Sequence, residues 1–277
     1  MSLTPILALA GAATLGLLHG ILPDEHTWPI TFSYAIGRSN ARGGALAGFL
    51  FSIAFTVQRA IAAELSWFAL LPVHILAHGQ FYLYLLVGSL MLGTGWYALH
   101  RQQQPIPGTD ATPGALPAYM PLVHGFVAGW GTGVFAITVY TVLVPAMGRP
   151  ALAFLPGFAF GLGTMVSQIV LGGLVGRWMS RRHMGKQARS YVSHRVSGLT
   201  LGWGGVAFVV VGGLGIWRPS LLDWQLATGL RLEGLRKLDI GFFLAVGILF
   251  LIAGVVLYRS LREARRRFGD NPPDASG

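Results

Sequence analysis

Two histidines and two carboxylates stand around one proline between residues 19 and 26: His19, Pro23, Asp24, Glu25 and His26. Imidazole nitrogen with one or two carboxylates is a donor set that suits nickel, cobalt or zinc better than magnesium or calcium. On an unbroken helix His19 and His26 are two turns apart, ~10 Å along the axis. That is too far to share one ion at ligand distances of ~2.0–2.1 Å. Pro23 changes this, because its ring clashes with the His19 carbonyl and removes the matching hydrogen bond. The break can fold Asp24 and His26 back toward His19, and it frees a backbone oxygen. The competing reading sets Asp24, Glu25 and His26 in water at a helix end. Density favours the site, since only 11% of the chain is charged.

Further polar residues lie in apolar surroundings. His124 opens the second half of the chain and is the expected ligand from that half. Gln58, Arg59 and Glu64 fall in one apolar run; Arg59 and Glu64 are five apart, off the ideal stacking of one helix face. They are expected to compensate each other or a partner helix, or to neutralise the site. His74 and His78 are four apart, a spacing that puts both on one helix face as accessory ligands. Ser167 and Gln168 are hydrogen-bonding candidates. His100, His183 and His194 sit in basic flanks, where water is expected to solvate them. The Gly131/Gly133 and Gly161/Gly163 pairs lack the strand and lysine of a nucleotide loop and read as close helix approaches.

These residues need a membrane frame to make sense. Hydrophobic residues form 53% of the chain, too many, with too few ions, for a water-soluble domain. They fall in runs at 3–22, 45–71, 81–99, 120–147, 151–175, 199–217 and 240–258, each about long enough for a ~30 Å hydrocarbon core. An ionisable group inside such a run marks an ion or substrate pathway by default. The expected fold is an all-α polytopic membrane protein of about seven transmembrane helices. No permanently bound cofactor is expected, and the absence of cysteine removes thiolate ligands and disulfide exchange.

The net charge of +10 does not read as a nucleic-acid surface. Its arginines cluster beside apolar runs, at 177–195 and 259–267, which is a topology signal. With those clusters in the cytoplasm, 14 Lys and Arg fall inside and 5 outside, with Arg59 in a span. The expectation is a multi-pass plasma-membrane protein with its N-terminus outside and C-terminus inside. His74 and His78 are then extracytoplasmic.

The chain also echoes itself. His19-Gly20 is matched by His124-Gly125, Gly37-Arg38 by Gly148-Arg149, and 48–51 by 157–160. Three spans per copy would turn the second copy upside down, and inverted repeats set substrate sites near the midplane at broken helices. The expected layout is a first repeat at 1–100, a cytoplasmic linker at 101–118 and a second repeat at 119–217. An interfacial loop at 218–237, a seventh helix at 238–260 and a basic, partly disordered tail at 261–277 follow. Pro29 suggests that 27–36 forms a half-helix re-entering the membrane.

The motif His19-Gly20-Ile21-Leu22-Pro23-Asp24-Glu25-His26 resembles the signature of the nickel/cobalt transporter families, which carry His-x4-Asp-His or His-Gly-x-x-Pro-Gly-His in the first helix. His19, Gly20 and Asp24 match; Glu25 is an extra residue before His26, and 102–117 lacks the histidine-rich loop of the efflux branch. His124-Gly125 and the three-plus-three pattern are similar to the wider superfamily of lysine, sulfite and urease-linked nickel carriers. The resemblance implies a secondary transporter with His19, Asp24 and His26 as ligands. It also implies the lipid bilayer and a small inorganic ion, Ni(2+) or Co(2+), as partners, and no enzymatic role. Protons would compete for the histidines, so transport should weaken below pH ~6.5. Two alternatives stand beside it. One is a carrier for an organic anion or amino acid held by Arg59. The other is an acyltransferase using His19 and Asp24 as His-x4-Asp, for which no downstream phosphate-binding motif is present.

Overall fold

Polar caps and prolines start the helices that apolar runs then extend. In α1 (Pro5–Ile21), Thr4 Oγ1 accepts from the Leu7 N–H and Pro5 occupies the first turn, where its missing donor costs nothing. In α3 (Ala41–Trp67), Asn40 Oδ1 accepts from the Gly43 N–H at 2.7 Å. Between them lies α2 (Trp28–Arg38). The remaining helices are α4 (Val73–His100), α5 (Met120–Ala128), α6 (Val134–Thr138), α7 (Phe154–Ser180), α8 (Lys186–Trp217) and α9 (Ile240–Phe268). A π-turn over Val139–Leu143 and two short 3-10 turns join α6 to α7. The computed structural model describes residues 4–22, 27–38, 40–68, 73–100, 117, 119–131, 133–182, 184–218, 220, 225–227 and 237–269. The side chains of 73–78, 80, 186, 225–227 and 237–246 are outside that description.

The protein is a helical membrane protein. Among the described residues, four helical stretches are long and apolar enough to cross a bilayer: Ala41–Trp67, Phe81–His100, Pro150–Ser180 and Gln187–Trp217. Their outward faces carry bare apolar side chains such as Leu86, Val166, Val170 and Leu174, a surface that suits lipid and not water. Among the described residues there is also a two-stranded antiparallel ladder: β1 (Gln225–Ala227), in the expected interfacial loop, pairs with β2 (Lys237–Asp239), which starts at the end of that loop and takes the first two residues of the expected seventh helix. α9 runs to Phe268, through the first part of the basic tail.

Helix directions follow from close contacts. α3 and α7 are antiparallel: a Cβ on Gly48 would meet the Gln168 carbonyl, one on Gly157 the Arg59 carbonyl, and one on Gly176 the Asn40 carbonyl. α1 runs parallel to α7, with Gly16 against the Phe160 carbonyl and Gly20 against Thr164 and Ser167. α2 then proceeds from Thr27, beside Gln168, to Arg38, two residues from the Asn40–Gly176 contact. Thus α1 and α2 are two halves of one broken helix that crosses the bundle once. α2 continues onward from the break and does not turn back as a re-entrant half-helix. α5 runs parallel to α3, with Gly125 against the Phe51 carbonyl and Gly129 against Gln58. After Trp130 and Gly131 leave the helix, α6 and the π-turn follow, with Phe135 beside His19 of α1 and Tyr140 beside Arg59 of α3. The expected single run at 120–147 is therefore a second broken helix.

The bundle has a basic end, where α7 finishes at Arg177, Arg181 and Arg182 and α9 finishes at Arg265, Arg266 and Arg267. There Glu263 on α9 pairs with Arg195 of α8 (3.3 Å), which ties the two helices, and with Arg267 of its own helix. The Tyr191 hydroxyl, close by without a well-aligned hydrogen bond, is the largest influence holding the Glu263 carboxyl below its usual range, followed by the two guanidinium groups; partial desolvation opposes them. A depressed carboxylate stabilises the fold above its unfolded pKa, and that contribution disappears as pH falls through the folded value. Glu263→Gln should therefore lower the melting temperature slightly at neutral pH. The difference from the parent should vanish in thermal scans run well below pH 4. The contribution is small because the site is solvent-screened.

Candidate functional site

Breaking a helix inside a bilayer exposes carbonyls that lipid cannot satisfy. The first break meets this with a polar stripe on α7. Thr164 Oγ1 donates to the Gly16 carbonyl at 3.0 Å and Ser167 Oγ to the Leu17 carbonyl at 3.0 Å. Gln168 Nε2 donates to the Gly20 carbonyl and to Thr27 Oγ1, both at 3.3 Å, and so spans the break from one side to the other. The Trp28 indole N–H also donates to the Gly20 carbonyl at 3.1 Å. Thr164, Gln168 and Thr27 are fully buried. Gln168 lies midway along α7 and packs on α3 at Gly48. The break therefore sits at mid-depth of the bundle, although hydropathy alone puts the motif at the end of the first run.

His19 ends α1 just before this break, in an aromatic cage. Its ring stacks on Phe55 of α3 and Phe160 of α7, with centroids 5.8 and 5.3 Å away, and meets Phe135 of α6 edge-on at 6.0 Å. Its Nε2 is shielded from solvent. The other motif residues, Pro23, Asp24, Glu25 and His26, lie outside the described residues. So do the side chains of His74 and His78, which fall in the first turns of α4.

The same two phenylalanines hold Arg59. Its guanidinium lies 4.7 Å from the Phe55 centroid and 5.5 Å from that of Phe160, and Nη1 donates to the Tyr140 hydroxyl at 2.8 Å. Tyr140 belongs to the π-turn, whose widened geometry accompanies functional sites in many helices. Arg59 is 4% exposed, and its Nε has no hydrogen-bond partner among the described residues. Glu64 does not pair with it, and one Glu64 carboxylate oxygen is buried with no described partner. The expected mutual compensation of these two is absent. Gln58, beside the second break at Gly129, is fully buried with both amide atoms unpartnered among the described residues.

His124 on α5 is 1% exposed. Its Nδ1 lies 3.0 Å from Tyr34 Oη of α2 and 3.1 Å from the Met120 carbonyl. A carbonyl only accepts, so the bond to Met120 needs the proton on Nδ1. That tautomer leaves the Nε2 lone pair open, and Nε2 has no hydrogen-bond partner among the described residues. A ring nitrogen anchored on a backbone carbonyl with the other nitrogen open is the arrangement of a metal-ligating histidine. No ring contact or hydrogen bond joins His19 to His124 among the described residues, and no group of three His, Asp or Glu could share an ion there. Of the flanking histidines expected in water, His194 is 7% exposed and so sits in the helix packing, His100 is exposed, and His183 lies outside the described residues.

Sequence reasoning missed the second break. Its signal was the glycine run around Gly129, Gly131 and Gly133, read only as close packing. The contacts of the two breaks also correspond in detail. Gly16 meets Phe160 as Gly125 meets Phe51, and Gly20 meets Ser167 as Gly129 meets Gln58. In each case the second-half residue is numbered 109 above its counterpart, which sets His124 opposite Leu15 and one helical turn from the His19 echo. No protein-family model, curated protein or solved structure matches the chain.

Proposed function

We propose that this protein is a secondary carrier whose cargo, a divalent transition-metal cation such as nickel or cobalt, is held between the breaks of two antiparallel broken helices. The observation that carries this reading is the mid-depth break after His19, spanned by Gln168. It sets a histidine at the centre of the bundle beside a segment containing Asp24, Glu25 and His26. His124 Nε2, open and buried, is the donor from the second broken helix. The crossed packing supports an inverted three-plus-three repeat: α1 touches α6 and the turns after it, while α2 touches α5. With α9 added, the chain would cross seven times, N-terminus outside and basic end in the cytoplasm. Rocking of one half on the other would open the breaks alternately to the two sides. Radiolabelled nickel flux in cells should fall at least tenfold in His19→Ala. A flux equal to that of the parent, at equal membrane expression, would overturn the metal assignment.

A second reading has an observation of its own. Arg59 is a buried, permanently charged group whose described partners are one hydroxyl and two ring faces, and such a group suits an anionic solute. In that reading the acidic break takes a coupling proton.

A further inference from the structure

The basic end of the bundle holds a cavity of about 470 Å³, apart from both breaks. Arg181, Arg182 and Arg265 line it, with Trp178, Leu261 and Ala264. It is formed where α7, the turn after it, the first turn of α8 and the last turns of α9 meet. The Arg182 guanidinium lies 4.4 Å from the Trp178 ring centroid, a cation–π contact between two lining residues. No carboxylate lines the cavity among the described residues. The one acidic side chain of this α9 segment, Glu263, is engaged by Arg195 and Arg267. Three arginines thus line one space with no acidic residue among the described ones lining it.

We propose that this cavity binds the phosphodiester headgroup of an anionic phospholipid. Guanidinium groups take phosphate oxygens bidentately, and basic pockets between helices at the cytoplasmic surface suit such headgroups. The mixed wall selects the lipid over free phosphate. Trp178 and Leu261, both only partly buried, give the cavity an apolar side on which the first carbons of an acyl chain pack; a lone phosphate leaves that side uncovered. Trp178 stands at the level where apolar helix gives way to arginine, as interfacial tryptophans do. A lipid held there ties the end of α9 to the end of α7. The inference rests on the membrane character of the chain and not on which cargo it carries.

The test uses the full chain purified in detergent and native mass spectrometry with three probes: phosphatidylglycerol, phosphatidylcholine and inorganic phosphate. Phosphatidylglycerol should bind at roughly tenfold lower concentration than phosphatidylcholine, and millimolar inorganic phosphate should not displace it. Arg181→Gln/Arg182→Gln/Arg265→Gln should erase that preference. Arg259→Gln/Arg262→Gln/Arg266→Gln, which removes the same charge outside the cavity, should keep it. Equal binding of the two lipids by the parent overturns the proposal even if the triple variant does not fold. A preference that survives the first triple variant overturns it, and so does one lost equally in both. Displacement by inorganic phosphate assigns the cavity to the free ion and overturns the lipid.

Discussion

Gly16→Ala and Gly125→Ala each lower the melting temperature of the purified protein by several degrees, and Gly11→Ala does not. The reason is backbone geometry. A methyl group at Gly16 would overlap the carbonyl of Phe160, and one at Gly125 would overlap the carbonyl of Phe51. Neither neighbour is the tip of a flexible side chain, so relief requires one helix to move off another. Overpacking of this kind costs typically about 1–3 kcal/mol and sometimes more. Gly11 lies in the same helix as Gly16 with nothing within 4 Å of its added Cβ. There alanine brings only its better helix propensity, worth up to ~1 kcal/mol over glycine. Thermal unfolding of the three variants in one detergent checks the claim. The two costly substitutions should be similar in size, because the same atoms of corresponding phenylalanines are struck. A neutral Gly125→Ala beside a damaging Gly16→Ala would show that the two breaks do not correspond.

Arg59→Met separates the two readings of the cargo by opposite changes in binding. Arg59 and His19 lie against the same two rings, Phe55 and Phe160. At ~10 Å and an effective dielectric of ~20, a fixed guanidinium and a divalent cation repel by about 3 kcal/mol. If the cargo is a metal ion, removing the charge strengthens metal binding roughly tenfold or more while slowing release, so affinity rises as turnover falls. If the cargo is an anion, the variant loses both binding and transport. Methionine keeps much of the length and the apolar contact with the two rings; it loses the hydrogen bond to Tyr140 and the cation–π attraction of the two rings, and the helix packing survives. Calorimetric titration of nickel into parent and variant protein, with flux measured in parallel, reads both quantities. Unchanged affinity together with unchanged flux would make Arg59 a packing residue only.

Four of the expected spans were legible in the sequence because apolar run length is set by bilayer thickness and needs no knowledge of neighbours. The first break was legible as well: Pro23 cannot continue a helix, and ionisable side chains beside it have a stated cost. The course of α2 was not. Pro29 suggested a turn back, but a proline in the first turn of a helix only helps start it, and α2 begins at Trp28. Its onward direction is set by buried packing of Ile30, Tyr34 and Ile36 on other helices, which local spacing cannot show. The second break carries no proline or charge, only glycines that serve close packing equally well. The place of Arg59 was equally hidden, because a residue in a long apolar helix can face lipid or neighbour. Only the positions of Phe55, Phe160 and Tyr140 decide it.

The glycine contacts between α3 and α7 have a mechanical meaning. Gly44 and Gly172 meet backbone to backbone, as do Gly48 with Gln168, Gly157 with Arg59 and Gly176 with Asn40. Phe55 and Arg59 of α3 lie against Phe160 of α7 at one end of this seam, and among the described residues no side-chain hydrogen bond crosses it. Beside it, α1 is pinned to α7 by Thr164 and Ser167. The bundle thus combines a bolted joint with a smooth bearing. A displacement along the bearing carries the first break with α7 and leaves Arg59 behind on α3.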